Sequence, residues 1–322
     1  MKIVMWSILL FLFFLTISAC EETYVAETIE KMPEDVGNEA GNEVTVLPYL
    51  KKVKPSSQGM TIFNDKIFVL SAGGHCDIYD FEYRQYESSF DLASSSKTNH
   101  CNCANWGVET PSDTRFPLLY VTNGQPGSPT EWHCKVEKIL FDGITFSSEC
   151  VQTIILDPSQ FNAYNYLLPW GCPQWLVDRE RGYLWVWSAI IRTLPSTTGD
   201  YSNNIYHATK FRIPKLSEGK EVILTADDVL DQIPFEFDAY STQGGCMFDG
   251  KIVHLYGFGN NSSPSKIRIY DTDSKTILKK YDLMGVLDVE LEDVAVYNNK
   301  LYINTDTSIL YEIIDNAIFN CK

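Results

Sequence analysis

Four stretches of the chain repeat one design. QGMTIFNDKIFVL starts at Gln58, QWLVDRERGYLWVW at Gln174, QGGCMFDGKIVHL at Gln243 and EDVAVYNNKLYIN at Glu292. Each runs from a polar residue through a short alternating strand and a polar turn, and a second strand begins eight or nine positions on. Asn-Asp, Asp-Gly and Asn-Asn supply three of the turns, and these residue types tolerate tight hairpin geometry. A looser fifth copy, NCANWGVETPSDTRFPLLYV, starts at Asn102 and has a longer turn.

Two further strand-like stretches follow each of the first four copies in chain order; the third copy takes IYHATKFRI and KEVILT. After the copy at Glu292 only ILYEII remains. The missing strand is available at the other end, as EVTVLPYLKKV over residues 43–53. This arithmetic predicts an all-β chain folded as a five-bladed β-propeller, its last blade closed by an N-terminal strand. Such closure removes long unpaired sheet edges. Residues 44–322 then form one domain, with insertions at 156–169, 189–204 and 225–240. The last insertion opens Thr-Ala-Asp-Asp and predicts a short helix after a Thr225 cap.

If the first strand of each blade lines the axis, Gln58, Asn102, Gln174, Gln243 and Glu292 occupy equivalent places around one mouth. Four amides and a carboxylate offer donors and acceptors with little net charge, which suits a neutral, hydroxyl-rich ligand. The same side chains could instead bridge blades and hold channel water. His100 stands just before its strand as a further mouth residue. Trp106, Trp170 and Trp175 lie near the inner strands, and Trp170 joins the binding set; Trp185 and Trp187 share one strand face and read as core. Glu292 and Asp293 complete the candidate set. They also permit an alternative, a carbohydrate-active hydrolase or lyase, although glycoside hydrolysis needs a second carboxylate at a defined separation. A Ca2+ ion held in the channel is the alternative to having no cofactor. A third reading is a protein-interaction scaffold.

HCNC, residues 100–103, looks metal-like, but adjacent strand residues face opposite ways, so His100 and Cys101 do not readily share an ion. No metal is expected there. Cys134 and Cys150 flank an Asp142-Gly143 turn and are expected to form a disulfide.

The chain begins MKIVMWSILLFLFFLTISAC. A basic start, an apolar run and small residues before a cleavage point describe a secretory signal over residues 1–19. Ile17-Ser18-Ala19-Cys20 resembles the lipobox of bacterial lipoproteins, which implies acylation of Cys20 and stable anchoring through several acyl chains. Residues 21–43 hold eight acids and one lysine and few large apolar residues; with Cys20 they read as an acidic tether. The full chain has a formal net charge of −16, which gives no electrostatic footprint for nucleic acid. Gln58-Gly59, Gln243-Gly244-Gly245 and the Glu292-led segment resemble secreted bacterial propeller lipoproteins and, more faintly, the five-bladed domain of teichoic-acid-related phage and cell-wall proteins. The combined expectation is an exported lipoprotein of the cell envelope, at the outer membrane and facing periplasm or surface. It would touch the membrane through its lipid only and bind a glycan or other envelope component.

Overall fold

The computed structural model describes residues 45–51, 53–54, 57–193 and 203–314. The signal, Cys20, the tether and Cys321 lie outside them. Strand β1 (Thr45–Lys51) comes first. Blade one follows as β2 (Ser57–Phe63), β3 (Lys66–Ser71), β4 (His75–Asp80) and β5 (Gln85–Asp91). Blade two is β6 (Ala104–Trp106), β7 (Leu119–Thr122), β8 (His133–Phe141) and β9 (Phe146–Leu156). Blade three is β10 (Trp170–Asp178), β11 (Tyr183–Ile190), β12 (Ile205–Arg212) and β14 (Val229–Glu236), with β13 (Glu221–Leu224) before its last strand in sequence. Blade four is β15 (Thr242–Phe248), β16 (Lys251–Tyr256), β17 (Lys266–Asp271) and β18 (Thr276–Asp282). Blade five is β19 (Leu291–Tyr297), β20 (Lys300–Thr305) and β21 (Ile309–Ile314), and β1 pairs antiparallel with β21 to complete it.

The inner strands touch in the cyclic order β2, β6, β10, β15, β19 and back to β2, so the five sheets close a propeller. Five apolar clusters, one at each junction between neighbouring blades, hold the ring together. The junction of blades three and four is the most aromatic. There Trp187 packs on Tyr206 and Tyr270 with ring centroids 5.4 and 4.6 Å away. Alternation along each strand puts one apolar row on each face, and a blade has a neighbour on both faces, so both rows are buried.

The inner hairpins turn where the sequence demands it. Asn298 and Asn299 both adopt positive φ, as do Asp249 and Gly250, which is the two-residue geometry that matches strand twist. These turns mark one face of the ring. The inner strands start on the other face, and there each of β2, β15 and β19 carries one extra residue in a β-bulge, around Gln58, Gln243 and Glu292.

Two sequence expectations need correction. KEVILT does not close blade three: its strand β13 pairs in parallel with β9 and becomes a fifth strand of blade two. The true outer strand of blade three is β14, inside the expected insertion at 225–240. The short helical turn expected there exists as Ala226–Asp228, behind Thr225, whose N–H and hydroxyl both bond Asp228. The Cys134–Cys150 disulfide is absent, and both thiols are free. Cys134 pairs with Ile154 and Cys150 with Glu137, with a bulge between Val136 and Glu137. Cys150 thus lies opposite a residue three places from Cys134, roughly 10 Å along the strand, beyond the reach of a disulfide.

Candidate functional site

The innermost strand of each blade has no strand partner towards the axis, so its inward N–H groups need other acceptors. Asp293 supplies them. Its Oδ2 accepts the N–H of Met60 from blade one at 2.7 Å and that of Ala104 from blade two at 3.1 Å. Its Oδ1 accepts the N–H of Val294 at 2.9 Å, and the backbone of Gly245 from blade four donates as well. Asp293 is fully buried. Burial pushes its carboxyl well above the usual range, and the backbone donors act in the opposite direction. A side chain at Gly244 would collide with this carboxylate, and one at Gly59 would come within 2.7 Å of the Cys101 carbonyl. The two Gln-Gly pairs of the repeat therefore let neighbouring inner strands approach each other.

Above this hub the other acids take different roles. Glu292 is buried, and desolvation raises its pKa to about 9, helped by Glu290, Asp306 and Asp293; a hydrogen bond with Gln58 opposes the shift. Glu290 is also raised by burial, and its Oε1 accepts from Gln243 Nε2 at 3.0 Å. Gln58 and Gln243 thus each pair with an acid of blade five.

Gln174 departs from the expected equivalence. Gln58, Gln243 and Glu292 each lie five residues before the pair that closes their hairpin, whereas Gln174 lies four before Asp178↔Tyr183. It shares a level with Gly59, Gly244 and Asp293. Its amide meets His254 Nε2 at 3.3 Å. Burial lowers the pKa of that imidazole to about 3, so the ring is neutral. His254 Nδ1 lies 3.0 Å from the Leu255 carbonyl, and the Gln174 atom facing Nε2 is the acceptor oxygen Oε1.

A cavity of about 610 Å³ opens on the same face, over blades two, three and four. His100, Asn102, Trp170 and Gln174 line it together. Trp170 is 55% exposed. Its backbone is fixed by Ser188, whose Oγ accepts the Trp170 N–H and donates to the Trp170 carbonyl, both at 3.0 Å. Asn102 is only 6% exposed, and its Oδ1 has no hydrogen-bond partner. Burial lowers the His100 pKa and pushes the Cys172 thiol, also in the lining, up to about 12. Gln58, Gln243, Glu292 and Asp293 do not line the cavity, although Thr242, next to Gln243, does.

Sequence reasoning missed most of the aromatic wall: Trp132, Tyr206, Phe237, Tyr240 and Phe258. Two of these fall in the segment taken for an insertion, and Phe258 sits between two glycines, Gly257 and Gly259, outside the repeat. Trp106 and Trp175 are core residues, buried at the junctions of blade two with its neighbours. The three metal-like side chains of HCNC diverge. His100 faces the cavity, Cys101 approaches Asn123 Oδ1 at 3.8 Å and Cys103 lies 3.0 Å from the Gly245 carbonyl. Among the described residues no group of three or more His, Cys, Asp or Glu side chains could hold a metal ion, and no helix is long and apolar enough to cross a membrane.

No protein-family model matches this chain, and no curated protein does. Among solved structures it is similar to the crystal structure of Myxococcus xanthus glutaminyl cyclase. The two share 12% sequence identity at a TM-score of 0.46, over 84% of this chain and 94% of that one. No activity carries across at that level of identity.

Proposed function

We propose that this propeller is a binding protein whose mouth cavity takes a small hydroxylated ligand, a glycan unit, and that it is exported and held at the cell envelope through Cys20. The observation that carries the reading is that Trp170 and Asn102 line one cavity. An exposed indole held by a rigid strand offers a flat apolar face to a sugar ring. The same cavity is lined by a buried amide, Asn102, whose oxygen has no protein partner, a costly state unless a ligand or water completes it. A cavity of this size, with a wall of aromatic rings among polar side chains, has the make-up of a small-molecule site.

The hydrolase alternative draws less support. Asp293 is sealed in the hub, and Glu292 is paired with Gln58 outside the cavity lining. A glycan array probed with the purified full-length chain tests the proposal. Binding to a restricted set of glycans, lost in Trp170→Ala and Asn102→Ala variants that still fold, is the expected result. No binding to any arrayed glycan would overturn it.

A further inference from the structure

The repeat suggested a mouth of little net charge, but the acids around the cavity are uncompensated. The lining contains one carboxylate, Glu131, and no Lys or Arg. Burial shifts His100 towards its neutral form and holds Cys172 as the thiol. Beyond Thr242 the wall continues to Gln243, which donates to Glu290, and the Asp306 N–H bonds the Glu290 carbonyl at 3.2 Å. Among the described residues, Glu131, Glu290 and Asp306 take part in no ion pair, and Glu292 keeps its proton near pH 7.

Six aromatic rings share the same cavity: Trp132, Trp170, Tyr206, Phe237, Tyr240 and Phe258. Aromatic faces attract cations, and the attraction grows when the cation is desolvated. A concave site with low-dielectric walls and one sign of charge also concentrates ions of the opposite sign. The unpartnered Oδ1 of Asn102 asks independently for a donor from a ligand, an N–H or O–H, and an ammonium group can supply one.

We infer that the ligand of this cavity carries a protonated amine, as an amino sugar does, and that Glu131 in the lining, with Glu290 beyond Thr242, supplies its counter-charge. This rests on the glycan reading above and narrows it. The sugar ring lies on Trp170, and the ammonium group occupies the acidic side of an aromatic enclosure. No covalent step is involved.

The test compares two probes by titration calorimetry on the purified full-length protein: a β-1,4-glucosamine tetrasaccharide and its fully N-acetylated counterpart. The first is titrated at a pH where its amines are protonated. The expected result is that the amine form binds at least roughly tenfold tighter, and that added salt erodes the preference. Glu131→Gln and Glu290→Gln, two separate variants, should each reduce that ratio. Equal affinity for the two probes would overturn the amine inference and leave the glycan reading standing. A preference untouched by both variants would also overturn it, because the acids would then have no part in recognition. Failure of both probes to bind would remove the inference together with the glycan reading on which it rests.

Discussion

Asp293 and Met60 are separated by 233 residues of chain, yet the Met60 N–H lies 2.7 Å from Asp293 Oδ2. The same carboxylate also ties in Ala104 and Gly245, so one side chain of the last blade binds the inner strands of the first, second and fourth. Closure of the ring is thus built into a buried acid as well as into the pairing of β1 with β21.

Removing that acid should destabilise the whole domain. Asp293→Ala strands several buried N–H groups, each costing about 1–3 kcal/mol. Urea denaturation should show a midpoint well below that of the parent, with Asp293→Asn, which keeps one acceptor oxygen, in between. A midpoint unchanged in the alanine variant would mean that the hub is not structural.

Trp170 should separate binding from stability. Its indole is more than half exposed, so Trp170→Ala should change the melting temperature little. Glycan affinity should fall about tenfold or more, the scale of one lost aromatic platform. Loss of both properties together would place Trp170 in the core instead.

Glu292 should make stability fall with rising pH. Its folded pKa of about 9 exceeds the ordinary 4.5, so the folded chain holds a proton that the unfolded chain releases between those values. Stability is therefore greatest below about 4.5 as far as this group is concerned, and declines as pH climbs towards 9. In Glu292→Gln that part of the slope disappears. Thermal melts of the two proteins across this window should converge at low pH and separate at high pH, with the variant the more stable. Parallel profiles would contradict the assignment.

The thiols should behave as free and unequal. Cys150 and Cys172 are partly exposed, whereas Cys76, Cys101, Cys103, Cys134 and Cys246 are buried. Alkylation of the native protein, mapped by peptide mass, should mark the first pair before the other five, which react on unfolding. A recovered Cys134–Cys150 crosslinked peptide would refute the register of β8 and β9.

The ring was legible in the sequence because its inner hairpins are local. Asn-Asn and Asp-Gly fix a turn from two adjacent residues, and the alternation on either side fixes two strands. The outer strand of blade three was hidden because Pro234 and the Thr225 turn make 225–240 look irregular, although Ile233, Phe235 and Phe237 alternate inwards. An outermost strand tolerates such a proline, since it needs no second row of backbone bonds. The pairing of β13 with β9 joins segments more than sixty residues apart and has no local signal. At the mouth, the ring positions were visible as repeats of Gln and Glu. Their division was not visible: a one-residue offset turns Gln174 to His254, and bulges turn Gln58 and Gln243 to the blade-five acids. The aromatic wall comes from loops that the repeat does not govern.

The pairing of Thr45 with Ile314, and of Ile313 with Leu301 beside the Asn298-Asn299 turn, puts both ends of the described domain on the face opposite the cavity. An engineered linker leaving from there would hold the propeller with its opening directed away from the attachment point. Surface immobilisation through either end would then leave the ligand entrance clear, so a sensor chip could present this domain in one productive orientation.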